Sequence, residues 1–322
     1  MKLSVFAVLL QDKPFDEACK MLSEAGAQAV EIGCGGYPGK AHCDPKDFLA
    51  HPEKIDAMLA SLKKYNLEIA ALSTHGNAVH PDKEIAKQFH DDFENAVLLA
   101  EKIGVDTIVT FSGCPGGSPE DKTPNWVTCA WPDDYQKIKK YQWEEVLIPY
   151  WKKESAFAAS HGIKKIAFEM HPGFCVYNPE TLLRLREAVG GDIIGANFDP
   201  SHLFWQGIDP VAAIRKLGPA LHYFHAKDTK VDEINTAING VLDTKPLSDA
   251  TGRSWLFRSV GYGHAHQTWK DMMSELRKIG YDGFISIEHE DMLMSPMEGL
   301  KKAIAMLKEV MIFEGIGDIW WA

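Results

Sequence analysis

The sequence predicts an α/β fold, a (β/α)8 barrel with long loops after strands two, four and seven. Two observations carry this reading. Short apolar runs alternate with longer amphipathic stretches from end to end, the pattern of strand-helix units on a parallel sheet, and eight such units fit 322 residues. Four side chains able to bind a metal, Glu169, Asp199, His225 and Glu288, stand at the ends of four successive apolar runs, the edge at which a barrel of this kind keeps its chemistry. A doubly wound sheet is the rival, but it often carries a Gly-rich phosphate turn after its first strand, and none follows here.

Strand one is read at 3–10. The opening Met-Lys-Leu-Ser-Val-Phe-Ala-Val-Leu-Leu has the look of a signal peptide, yet its apolar run is short, no small-residue cleavage site follows, and Gln-Asp-Lys-Pro interrupts it. The next runs place strands at 29–33, 68–74, 107–112, 166–170, 193–199, 221–227 and 284–289. Helical periodicity fills 14–25, 51–65, 82–103, 143–161, 179–189, 209–217, 269–279 and 297–311, several with Pro or Asp near the start, where capping favours them. Three connections exceed the usual few residues: 34–46, rich in Gly and Pro, then 113–140, with Trp126, Trp131 and Tyr135, then 228–262, with Arg253, Trp255 and Arg258. On a barrel all three rise from the catalytic face, where aromatic walls suit the apolar faces of a sugar ring or seal a subunit interface.

A chain of this size with 45% hydrophobic residues can bury a large core, and it is read as a single domain over 1–322. The 34 basic against 45 acidic side chains, net charge −11, argue against a nucleic-acid partner, whose binding rests on basic groups displacing counterions. No run approaches the roughly 20 apolar residues of a membrane span. The six cysteines include no Cys-x-x-Cys pair, which fits reduced thiols in a cytoplasm rather than a zinc knuckle or a disulfide scaffold.

Two glutamates, an aspartate and a histidine form an oxygen-rich donor set without thiolate, suited to Mn²⁺, with Mg²⁺, Co²⁺ or Zn²⁺ as alternatives. Such a cation can hold adjacent oxygens of a hydroxy-ketone and stabilise a developing enolate while a carboxylate removes the carbon-bound proton. His171 follows Glu169 by two, so in an extended strand both face one way, and it reads as a substrate contact, a proton carrier or a loop histidine bonded to backbone. His75, closing strand three, is placed for a substrate hydroxyl. Lys227 either neutralises an oxyanion or pairs with Asp228, and Glu290 shares phase with Glu288.

The motifs Phe-Glu-Met-His-Pro, Asn-Phe-Asp-Pro-Ser-His, His-Ala-Lys-Asp, Val-Gly-Tyr-Gly and Ile-Glu-His-Glu resemble those of the xylose-isomerase-like TIM-barrel proteins. That is the sugar phosphate isomerase/epimerase group, with ketose 3-epimerases, inosose dehydratase and endonuclease IV among its members. The resemblance covers nearly the whole chain. It implies that Glu169 and Glu288 bind the metal and exchange the proton, that Asp199 and His225 complete the ligand set, and that His202 contacts substrate. Where ketose epimerases often carry an arginine just after the strand-seven histidine, this chain has Lys227 and Asp228. His222, His264 and His266 do not fall where the trinuclear zinc centre of endonuclease IV would need them.

The leading expectation is a metal-dependent isomerase or epimerase that takes a proton from the carbon next to a carbonyl of a small sugar, through a metal-stabilised enediolate. The alternative is a lyase that uses the same metal and base for β-elimination on a keto-sugar, keto-glycoside or inosose, its aromatic loops holding an aglycone or second ring. A sugar-binding subunit without turnover ranks last. The family resemblance also implies a homo-oligomer, and the terminal Gly-Asp-Ile-Trp-Trp-Ala offers two indoles for such a contact.

Overall fold

A computed structural model describes residues 1–321. Strands β1 (Lys2–Phe6), β2 (Ala29–Gly33), β3 (Glu68–Ser73), β4 (Thr107–Thr110), β5 (Lys165–Glu169), β6 (Ile194–Phe198) and β7 (Leu221–Ala226) join the last strand, β10 (Phe284–Ile287), in a closed parallel barrel. Strands β8 (Asp228–Val231) and β9 (Trp255–Arg258) form a separate antiparallel pair. The barrel strands are buried on both faces, so they read as near-continuous apolar runs. Alternation still sorts their side chains. Ile166 and Phe168 pack outward into the main core under the helices, whereas Ala167 joins Ala29, Ala71, Val109 and Tyr223 in a small second cluster. Residues in phase with that cluster therefore face the barrel axis.

The helices of the outer layer run Phe15–Ala25, Pro52–Lys64, Lys83–Ile103, Ile148–Ser160, Pro179–Val189, Pro210–Leu217, His266–Lys278 and Pro296–Val310. Their starts follow local chemistry. Asp82 accepts from the N–H groups of Glu84 and Ile85, Asn178 and Thr181 form a reciprocal capping box ahead of Pro179, and Asp209 accepts from Ala212.

Four local expectations are corrected. The first strand stops at Phe6, and Ala7–Leu10 turn as a 3₁₀ segment. Ala7 and Leu10 are buried in this 3₁₀ segment, so an apolar run alone does not tell strand from tight helix. The helix expected from 143 begins two residues earlier as a π turn, Tyr141–Leu147, after a short helix Asp134–Lys140 inside the second long loop. Within this π turn, Gln142 Nε2 donates to the carbonyls of Pro115, Gly116 and Asn125 and pins that loop. The third long loop contains regular elements: β8, a helix Glu233–Asn239, and β9. Finally, β6 and β10 end one residue before Asp199 and Glu288, which leaves both carboxylates on the rim.

Candidate active site and metal centre

Glu169, Asp199, His225 and Glu288 each bring one ligand atom to within 4.8 Å of the others at the carboxyl ends of β5, β6, β7 and β10. Parity explains the convergence. Glu169 is in phase with Ala167 on β5, and His225 with Tyr223 on β7, while Ser286, in phase with Glu288, pairs in register with His225. Asp199 caps the short helix Pro200–Phe204, accepting from the Ser201 N–H through Oδ1 at 2.8 Å.

Beneath this set lies Glu31, a residue sequence reasoning missed. It is fully buried on β2, and both its oxygens lie 3.0 Å from His225 Nε2. Ser73 and Ser286 donate to it as well. A signal existed: Glu31 is the one charge in Ala-Val-Glu-Ile-Gly and shares phase with inward Ala29. By taking the Nε2–H, Glu31 leaves Nδ1 to face the site, the arrangement of a metal-ligating histidine backed by a carboxylate.

The electrostatics call for positive charge. Burial disfavours the imidazolium of His225, but Glu31 and Glu288 outweigh it and raise its pKa well above the ordinary value. Burial likewise works against the charged forms of Glu169 and Glu288, yet hydrogen bonds from His202 and His75 to the first, and the Lys227 charge beside the second, hold both well below the usual carboxylate range. His225 Nδ1 lies 3.3 Å from both Glu169 and Glu288 without hydrogen-bond geometry, and Asp199 Oδ2 is buried without a hydrogen-bond partner. Three carboxylates and an imidazole converging on one point, with Asp199 Oδ2 and His225 Nδ1 held there by charge and not by hydrogen bonds, fit a divalent cation.

The other expected residues gather around Glu169. His202 Nε2 lies 2.9 Å from Oε1 and His75 Nε2 3.0 Å from Oε2, so His75 engages the carboxylate itself. Gly36 helps to set His75: at φ +67° it brings its loop against the His75 carbonyl, which accepts from the Tyr37 N–H, and a Cβ there would overlap that carbonyl oxygen. His171 lies past the end of β5 and donates through Nδ1 to its neighbour Pro172 O, while its ring lies 4.1 Å from that of His202. Burial, aided by the His202 charge, pushes its pKa down to about 3.

Lys227 does not pair with Asp228. Its ammonium lies 2.6 Å from Glu288, 2.9 Å from half-exposed Glu290 and 3.1 Å from Asp199. Asp228 turns away and accepts from the N–H groups of Gly261, Gly263 and His264. His264 Nδ1 also bonds to Asp228 and His266 to Glu309, while His222 lies at the opposite end of β7, so none of the three joins the cluster.

The xylose isomerase-like TIM barrel family model matches residues 19–310. The chain belongs to that family. The uncharacterized protein YfiH of Bacillus subtilis (strain 168) is 40% identical over 96% of this chain and 99% of its own length. An inosose dehydratase of Mesomycoplasma hyopneumoniae (strain J) is 27% identical over 93% of this chain and 89% of its own. Among solved structures, the probable 3-DHS dehydratase AsbF of Bacillus anthracis superposes with a TM-score of 0.68 at 19% identity, covering 96% of this chain and 99% of that one. The IolI protein with a bound zinc atom gives 0.66 at 18%, covering 96% and 98%. A D-psicose 3-epimerase gives 0.62 at 14%, covering 96% and 99%. The structural relatives thus include both epimerases and dehydratases, and the relatives of assigned activity are enzymes acting on sugar-like small molecules.

Proposed function

We propose that this protein is a divalent-metal-dependent isomerase or epimerase that removes a proton from the carbon beside the carbonyl of a small sugar. The observation that carries this reading is the convergence of Glu169, Asp199, His225 and Glu288, with one ligand atom of each within 4.8 Å of the others at one end of the barrel. These four would hold the cation, Mn²⁺ in the first instance or Mg²⁺, Co²⁺ or Zn²⁺. When bound, it supplies Lewis-acid stabilisation of the negative charge left as the proton departs. Glu169 and Glu288 take and return the proton. His75 and His202 hold Glu169 by both oxygens, and Lys227 places a second positive charge beside Glu288.

Deuterium uptake from D₂O next to the carbonyl, measured over a ketose panel, tests this. Glu169→Gln and Glu288→Gln are each expected to lower turnover by about 100- to 10,000-fold, the range for a lost acid-base group, and Asp199→Asn to weaken metal occupancy. Full activity in metal-stripped protein would overturn the scheme.

A second reading, β-elimination by the same base and metal, is favoured by the 27% identity to an inosose dehydratase across most of the chain. Loss of water or of an aglycone, in place of inversion or carbonyl migration, would select it. The proposal includes a homo-oligomer, supported by exposed Ile316, Ile319, Trp320 and Trp321 near the chain end, and light scattering checks it. It also includes a cytoplasmic location, supported by six cysteines free of disulfides.

A further inference from the structure

Away from the barrel mouth, two helices of the outer layer bring a second group of metal-binding side chains together. His90 and Glu94 stand four residues apart on the helix Lys83–Ile103, and Tyr150 and Glu154 four apart on Ile148–Ser160, so each pair shares one helix face. The two helices meet at an aromatic contact, where the buried Phe93 ring packs edge-on against buried Trp151 at 5.5 Å. From that spacing His90, Glu94 and Glu154 converge, with one ligand atom of each within 4.8 Å of the others. None of the three belongs to the carboxylate cluster at the barrel mouth.

Glu154 sets this group apart from a surface ion pair. Its side chain is 0% exposed, and Oε2 has no hydrogen-bond partner among the described residues. Oε1 accepts from Lys153 at 2.9 Å and lies 3.8 Å from His90 Nδ1. Lys153 is 70% exposed, and an ammonium reaching back from solvent is a weak partner. A buried carboxylate met only in this way is costly to keep unless a further cation joins it. His90 is held at the same place: its Nε2 lies 3.3 Å from Glu94 Oε1, and its Nδ1 3.2 Å from the Tyr150 hydroxyl. Burial, with Glu154 and Glu94 nearby, holds the Tyr150 phenol well above its usual range, so it steadies the ring as a neutral hydroxyl.

We propose that His90, Glu94 and Glu154 form a second divalent-cation site, a structural Zn²⁺ site that ties the two helices together independently of the candidate active centre. An imidazole and two carboxylates are ordinary zinc ligands, and ligands of a tetrahedral zinc stand about 3.3–3.6 Å apart. Closing the group on the ion therefore takes side-chain movements of about 1 Å. His90 and Glu94 are 24% and 33% exposed, which leaves that side open to the entering ion and to a water as fourth ligand. Lys153 then releases Glu154 and turns to solvent.

Counting the ions held by EDTA-treated, full-length protein after dialysis against Zn²⁺ tests this, with Asp199→Asn weakening the candidate active centre separately. The unsubstituted protein should hold two Zn²⁺ per chain. His90→Ala and Glu154→Gln should each lose one, that site being weakened about 100-fold or more, beyond the range for losing a carboxylate behind a ligand. In Asp199→Asn protein Zn²⁺ should still raise Tm, and adding His90→Ala should abolish the rise. Glu154→Gln removes the charge and keeps the shape, so its metal-free Tm should be unchanged or higher, which separates a lost ion from a lost fold. The proposal is overturned if His90→Ala and Glu154→Gln bind as many Zn²⁺ ions, as tightly, as the unsubstituted protein. It is equally overturned if Zn²⁺ leaves the Tm of Asp199→Asn unchanged. An ion lost in His90→Ala and none lost in Asp199→Asn would support this site while the active-centre reading fails.

Discussion

Glu31 and His222 are both buried polar side chains on the barrel, and they act in different ways. Glu31 sits behind His225 and orients its imidazole. Glu31→Gln is expected to weaken Mn²⁺ binding by about 10- to 100-fold, the usual cost of losing a carboxylate behind a ligating histidine. Calorimetric metal titration checks this, and an unchanged affinity would rule out the orienting role. His222 faces no carboxylate. Burial, with Arg186 and Lys165 nearby, pushes its pKa down to about 3. Folded His222 therefore stays neutral in mild acid, while the unfolded chain takes up the proton near its ordinary pKa of about 6.5. The unfolded state binds more protons below that value, so stability is lost as pH falls from about 6.5 towards about 3. By pH 5 the loss from this one group is about 2 kcal/mol. In chemical denaturation at pH 7 and pH 5, His222→Leu should show a smaller drop than the unsubstituted protein. Equal drops would contradict it.

The β8–β9 pair and the segment after it form the element that closes the site's flank, and one side chain anchors it. The Asp228 carboxylate gathers the N–H groups of Gly261, Gly263 and His264 at 3.0, 3.0 and 2.9 Å. Gly263 is required there, because a Cβ would overlap the Thr229 carbonyl and the Asp228 carboxylate. Losing that carboxylate leaves several donors unpaired, at about 1–3 kcal/mol each. Asp228→Ala should therefore speed amide hydrogen exchange in 255–264 by about 10- to 100-fold while the barrel strands keep their protection. Uniform protection across both regions would show that the pair is held by other contacts. The π turn Tyr141–Leu147 does a similar task for the second long loop through Gln142. Neither device has a periodic sequence signal, because each depends on one side chain meeting carbonyls or N–H groups far along the chain.

At the scale of the whole molecule, the barrel gathers negative charge at one end, from buried Glu31, Glu169 and Asp199 and from partly buried Glu288. His225 and Lys227 only partly offset it. A divalent cation that binds only the folded barrel stabilises it by about 2.7 kcal/mol at a hundredfold excess over its Kd. Added Mn²⁺ should raise Tm in a concentration-dependent way and EDTA should reverse it, with Glu169→Gln and Asp199→Asn responding less. A Tm indifferent to every divalent ion tried would remove the metal from the proposal. Among the described residues no helix is long and apolar enough to cross a membrane. The barrel itself was legible because eight apolar runs and eight amphipathic stretches repeat in strict order, and that order leaves few closed arrangements.

By itself the sequence determined the eight strand-helix units and the standing of Glu169, Asp199, His225 and Glu288 at the ends of four apolar runs. These follow from local periodicity, which side chains obey wherever the strand lies. Only the tertiary structure decided that Glu31 backs His225 from the far side of the barrel, and that His75 serves Glu169 rather than standing free. It also decided that Lys227 faces three carboxylates instead of Asp228. The cavity that Trp126, Trp205 and Trp255 share belongs to the same class, for these three come from segments after three different barrel strands. Each of these facts depends on barrel closure, which brings residues as far apart as 31 and 225 within hydrogen-bonding distance, and no pattern along the chain encodes that distance.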